Sequence, residues 1–194
     1  MSEEYRVGRF TEQSIDWDRP YDIGPSDQHL HAIGQFVTIY SNIEWQIFGL
    51  FAFYLEIPAP AVRQLVADAN ISMAGIIRSV EKHVAASTAD TQARDDLLLT
   101  LKAFDSIAKV RHKIIHWQWG LDEGTKAQLN DFIRQKANNS SITLDLKELR
   151  SSCFRLVRII QAVIFNGGIL MGQISREEIL RLRSDTLPET LFRP

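Results

Sequence analysis

One cysteine, Cys153, stands in the 194 residues, so no intrachain disulfide can form. It falls in a helical pattern and reads as a small core residue. Neither sign of charge is in excess. Lys and Arg number 22 and Asp and Glu 24, for a net charge of -2. A strong, indiscriminate nucleic-acid binder is more basic than this, so any such contact must use a local patch. Long hydrophobic runs are missing too: Ile39-Tyr-Ser-Asn-Ile-Glu-Trp-Gln-Ile-Phe48 is interrupted by polar residues, which predicts no membrane span. The opening Met1-Ser-Glu-Glu-Tyr5 has no apolar stretch of the signal-peptide kind, and a cytoplasmic location is the expectation. There is no glycine-rich nucleotide fingerprint. Gly167-Gly168 follows an apolar helix with no phosphate-loop lysine and reads as a packing or breaking feature. No paired carboxylates stand out, since Asp95-Asp96 are adjacent on a helix and read as solvated. No internal repeat or true linker is present. What is there, 45% hydrophobic and 24% charged residues, is the chemistry of one globular domain with a sizeable core.

Proline and glycine punctuate the chain into helices. Residues 1–25 hold Pro20, Gly24 and Pro25 without a clear period and read as an irregular N-terminal arm. A first helix starts near Ser26 or Asp27 and runs to about Glu56, where Pro58 and Pro60 stop it. Its apolar stripe is read as Ile33, Val37, Tyr40, Phe48, Phe51 and Leu55. A second helix spans about 59–86, with Gly75 weakening but not breaking it. A third runs from about Ala89-Asp90 to Trp117, with Leu97, Leu101, Phe104, Ala108 and Ile115 inward and Gly120 as its exit. Residues 118–143 are the least helical stretch and read as a short helix, brief extended pieces or a flap. A fourth helix runs from about Asp145 to Met171, with Leu149, Phe154, Val157, Ile160, Ile164 and Phe165 inward. A short helix over about 175–182 precedes a tail at 183–194. The predicted fold is all-α: an up-and-down bundle of four main helices over 26–182, with a less regular insert between helices three and four. The wide aromatic face around Trp45, Phe48, Phe51, Phe53 and Tyr54 serves either a monomer core or a second copy.

One stretch carries chemistry: Asp105-Ser-Ile-Ala-Lys109-Val-Arg111-His112-Lys113-Ile-Ile-His116-Trp117. His112 and His116 are four apart and share a helical face. Arg111 lies in register with Phe104, Ala108 and Ile115, and an arginine on an apolar stripe is expensive to bury unpaired. Glu44 interrupts the first helix's stripe in the same way. The two anomalies predict a buried Glu44–Arg111 pair, which serves either a site or helix register alone.

Arg111, four intervening residues and His116 resemble the arginine-x4-6-histidine motif of HEPN-domain proteins. The polar residue after the arginine, His112, fits that pattern. So do the aromatic exit Trp117-Gln-Trp119-Gly120 and the segment Gly34-Gln-Phe-Val-Thr-Ile-Tyr-Ser-Asn-Ile-Glu44, which is similar to the first long helix of such domains. The resemblance covers roughly residues 27–171. It implies a helical homodimer with two such motifs around a shared cleft. It also implies metal-independent RNA cleavage as in many members, often toxins or antiviral defence effectors, while other members are inactive or accessory.

The residue types suit that chemistry. Cleaving RNA without a metal requires a base for the ribose 2'-hydroxyl, an acid for the leaving 5'-oxygen and support for charge on the phosphate. A histidine can serve either proton transfer and an arginine offers a fixed fork of donors to phosphate oxygens. His116 is the candidate acid or base, Arg111 the phosphate clamp, His112 a second acid-base group or an orienter, and Glu44 the group that orients Arg111. Lys109 and Lys113 add positive potential or simply complement the helix end. Trp117 and Trp119 stack on bases or close the core. Two further readings stay open. The chain is a non-catalytic interaction or accessory domain regulating a toxin or defence partner, as in a toxin–antitoxin pair, or it is a binding module for a small anion. Zinc on His112 and His116 would need a third ligand such as Glu44, Asp105 or His83, and the zinc-protease glutamate after the first histidine is absent; no metal and no cofactor is expected. His29 and His31 read as surface or capping residues, and His83 as solvent-facing.

Overall fold

Helix boundaries follow local chemistry. In the computed structural model, residues 25–116, 118–119, 126–130, 141–179 and 181 are described. The N-terminal arm, Trp117 and the tail at 183–194 lie outside them, save Pro25 of the arm. Helix α1 spans Asp27–Leu55 and closes at Glu56, whose left-handed φ of 55° lets its N–H reach back to the Ala52 and Phe53 carbonyls. Pro58 then starts α2, Ala59–Asp68, which turns about 100° away from α1.

The single helix expected over 59–86 is two. Helix α2 ends at Asp68 and α3 spans Met73–Ala86. The break falls not at Gly75 but at Asn70, which adopts φ 50°. Asparagine tolerates that conformation better than most side chains, and Ser72, two residues on, caps α3 by accepting the Gly75 N–H. Helix α4 spans Thr91–His116, its first turn held by the Ala93 N–H donating to the Asp90 carboxylate. Helix α5, Leu146–Leu170, opens on a capping box in which Asp145 and Glu148 satisfy each other's backbone. Beyond it, residues 176–179 form one more helical turn.

The insert between α4 and α5 holds a small antiparallel sheet of three strands in the order β1, Gln118–Trp119, β2, Lys126–Asn130, and β3, Ser141–Asp145. Leu129 is its fully buried anchor. The remaining described elements form an all-α bundle.

Two contacts fix the direction of α5. The Cys153 thiol donates to the Ala32 carbonyl, and Gly167 abuts Leu50. Both helices therefore run the same way. Helix α4 runs against them, since Asp90 at its start bonds Arg176 just beyond the end of α5. The core between them is lined by Phe36, Ile43 and Ile47 of α1, Leu97, Leu101 and Phe104 of α4, and Leu149 and Leu156 of α5.

The faces that turn inward agree with the sequence reading only in part. In α1 Tyr40, Phe48 and Phe51 are buried as expected, together with Ala32, Phe36, Ile43, Ile47 and Leu50, while Ile33, Val37 and Leu55 sit at the edge. In α5 the core takes Cys153, Leu156, Ile159 and Val163, and the expected Phe154, Val157 and Ile164 are exposed, Phe154 by 74%. In α4 Ile114 is buried and Ile115 exposed. These helices carry apolar residues on more than one side, so spacing alone leaves the phase open. Among the described helices taken singly, α5 alone has the length and apolarity of a membrane span. It packs here against α1 and α4, with Arg150, Arg155 and Arg158 exposed on its outer side.

Candidate functional site

The corrected phase of α4 sharpens the position of Arg111. Phe104, Ile107 and Ile114 are buried, and Arg111 lies three to seven residues from each, on the same stripe. Its side chain is half-buried, and its Nε is shielded from water with no hydrogen-bond acceptor among the described residues. Across the helix interface its guanidinium carbon stands 5.7 Å from the centre of the Tyr40 ring. Tyr40 is itself packed at 4.6 Å against Phe104, within the favourable range for tilted rings. Arg111 thus rests on an aromatic floor that α1 supplies.

Glu44 lies one turn beyond Tyr40 on α1 and is half-buried. Burial pushes its carboxyl above the usual range, and the positive charge of Arg111 offsets part of that. The Tyr40 hydroxyl is pushed up to about 12, first by burial and then by the negative charges of Glu44 and Asp105, against the pull of Arg111. Glu44 and Arg111 therefore share one electrostatic neighbourhood, as their sequence positions predict. They do not close the expected direct pair: among the described residues no ion pair joins them. The guanidinium keeps an unspent donor, held in place by packing.

His112 and His116 are both exposed, with ring centres 4.8 Å apart and planes at 47°. The helix presents two imidazoles side by side next to the half-buried cation. Lys109 is exposed on the same turns and Lys113 is half-buried. Trp119 is half-buried against the core, and its indole N–H donates to the Ile114 carbonyl at 3.0 Å. That bond satisfies a carbonyl left over at the end of α4, so its place is that of a helix closure. Trp117 lies outside the described residues.

Among the described residues, no three or more His, Cys, Asp or Glu side chains converge in a way that could hold a metal ion. Of the other histidines, His31 is exposed as expected, while His29 and His83 are less exposed than expected. His29 is fully buried with its Nδ1 2.8 Å from the Ser26 hydroxyl. His83 is half-buried, donates from Nδ1 to the Ser79 carbonyl and stacks on Tyr54. The residue that sequence reading missed at the site is Tyr40. Its signal was present, four positions before Glu44 on one face, but an aromatic on an apolar stripe reads as core.

A half-buried guanidinium on a helix turn that also carries two solvent-facing imidazoles can attract an anionic group and exchange protons with what it binds. No protein-family model, curated protein or solved structure matches this chain.

Proposed function

We propose that the chain is a metal-independent endoribonuclease of the HEPN kind, acting in the cytoplasm as a homodimer, with Arg111, His112 and His116 as its working groups. The observation that carries the reading is Arg111 itself: half-buried on an apolar stripe, oriented by Tyr40, and not neutralised by Glu44. A guanidinium kept only for helix register would be expected to close its pair with Glu44. The exposed His112–His116 pair supports the same reading, since an acid–base group must reach its substrate.

In this mechanism one imidazole removes the proton from a ribose 2'-hydroxyl. The oxygen attacks the adjacent phosphorus, and the P–O5' bond breaks as a second imidazole protonates the leaving oxygen. The products are a 2',3'-cyclic phosphate and a 5'-hydroxyl end. Arg111 donates to the phosphate oxygens as charge accumulates on them. His116 takes one proton-transfer role, and His112 or the His116 of a second copy takes the other. Glu44 tunes Arg111 by its field.

The test is cleavage of mixed-sequence RNA in the presence of a chelator, with the ends of the products analysed. Wild type is expected to yield cyclic-phosphate ends and His116→Ala to lose about a hundredfold or more in rate. Equal background from the two proteins overturns the proposal.

A further inference from the structure

The outer side of α1 and α5 carries a feature unrelated to Arg111. A groove of about 850 Å³ runs between the two helices, walled by His31, Thr38 and Ile39 on one side and Arg150, Phe154 and Val157 on the other. A second hollow continues it toward the start of α1, past Gln28 and Lys147, and shares Arg150 and Phe154. The groove is open at Gly34, where a side-chain carbon would meet nothing within 4 Å. Phe154 and Val157 leave apolar surface in water at its wall. Arg150, Phe154 and Arg158 recur every four residues, so the apolar wall is flanked by cations, and among the described residues neither arginine has an ion pair.

The chain preceding the groove has the complementary composition. Residues 1–24 hold six carboxylates against three arginines. Apolar and acidic residues alternate in Ile15-Asp16-Trp17-Asp18 and in Tyr21-Asp22-Ile23. This segment joins α1 at Pro25, one turn before Gln28 and two before His31, at the groove's mouth. Trp17 is eight residues from Pro25, a reach of up to about 28 Å, whereas Gln28 to Ile39 spans about 17 Å of helix. The tether also raises the local concentration of the segment to the millimolar range.

We propose that the α1–α5 groove is the docking site of this chain's own residues 10–24, with Trp17 or Tyr21 covering Phe154 and Val157, and Asp16, Asp18 and Asp22 meeting Arg150 and Arg158. A second copy fits less well. A twofold contact through this face would set the Arg150–Phe154–Arg158 row of one chain against that of the other. The inference is independent of the proposed activity.

Thr38 lines the groove and is exposed, so a cysteine placed there reports on its cover, whereas Cys153 is buried. The test measures the rate of alkylation at residue 38 in the full chain carrying Thr38→Cys and Cys153→Ala under native conditions, and this background is the wild-type reference below. Arg150→Glu with Arg158→Glu is expected to raise the rate about tenfold, and Asp16→Lys with Asp18→Lys to do the same. Combining the four substitutions is expected to restore protection, and the wild-type rate is expected not to change on dilution. These are surface charges, so circular dichroism is expected to be unchanged. Rates unaltered by either charge reversal, or no restoration in the combined variant, overturn the proposal. Protection lost on dilution overturns it in favour of a second copy.

Discussion

The guanidinium of Arg111 and the ring of Tyr40 meet across the α1–α4 interface at 5.7 Å, and this contact, not a salt bridge to Glu44, positions the cation. The Arg111 Nε is shielded without an acceptor. Leaving a charged donor unsatisfied costs stability that an apolar side chain of similar length would not cost. Arg111→Met is therefore expected to fold as well as wild type or better, by about 1 kcal/mol, in urea unfolding. The same variant is expected to lose RNA cleavage, and Arg111→Lys, which keeps the charge but not the planar fork, to lose most of it. A Met variant clearly less stable than wild type would make Arg111 a structural residue.

Glu44 gives the site a pH signature. Burial holds its carboxyl above the ordinary range, so the folded chain binds that proton more tightly than the unfolded chain does. The stabilisation linked to the proton is complete in acid, below the unfolded value, and is lost as pH rises through the folded value. Glu44→Gln removes the titration. Relative to wild type, the Gln variant is expected to gain stability as pH rises from about 4 to 8. A stability difference that is flat over that range would show that the carboxyl is not held up.

The helix interface distinguishes two glycines by what surrounds them. A methyl group on Gly167 would stand 2.9 Å from Leu50 Cδ2 and 3.5 Å from its Cγ. Leu50 is 2% exposed and enclosed by the core, so it has little room to withdraw. Overpacking costs about 1–3 kcal/mol, against a gain of about 1 kcal/mol from replacing a mid-helix glycine. Gly167→Ala is expected to lose about 1 kcal/mol net. Gly49, exposed on α1 with nothing within 4 Å, presents only the gain, and Gly49→Ala is expected to be more stable by about 0.5–1 kcal/mol. Thermal unfolding of the two variants side by side checks both signs.

Asp90 ties the start of α4 to the segment after α5. It accepts from the Ala93 N–H at 2.8 Å and from Arg176 at 3.0 Å. The Ala93 backbone bond above all, with Arg176 adding to it, holds its carboxyl below the usual range against the opposing effect of desolvation. Its stabilising contribution is thus present above the unfolded value and is lost as pH falls through the folded one. Asp90→Asn is expected to unfold more readily than wild type at neutral pH and to match it in strong acid. Arg176→Gln is expected to reproduce part of the neutral-pH loss, and the double variant to fall short of the sum.

The sequence displayed helix ends better than helix faces. Asp145 with Glu148, Pro58 and Asp90 are local signals, and each sits where a helix starts or stops. The break at Asn70 was also local, but an asparagine entering the left-handed region looks no different from one within a helix. Faces are settled by tertiary packing. Phe154 and Val157 satisfy a helical period as well as Cys153 and Leu156 do, and only the approach of Ala32 and Leu50 selects the second set. At the site, Glu44 and Arg111 were legible because charge on an apolar stripe is anomalous. Tyr40 was not, because its part depends on Arg111 crossing over it.

Trp119 separates a structural from a functional role at the exit of α4. Its indole N–H reaches the Ile114 carbonyl at 3.0 Å while the ring packs against the core. Trp119→Phe retains an aromatic ring but removes the donor, leaving that carbonyl to find another partner. The variant is expected to lose about 1 kcal/mol of stability in urea unfolding. RNA cleavage at temperatures where the variant remains folded is expected to be close to wild type, because phenylalanine removes the helix closure without touching Arg111, His112 or His116. A large fall in cleavage with unchanged stability would instead place Trp119 in contact with RNA.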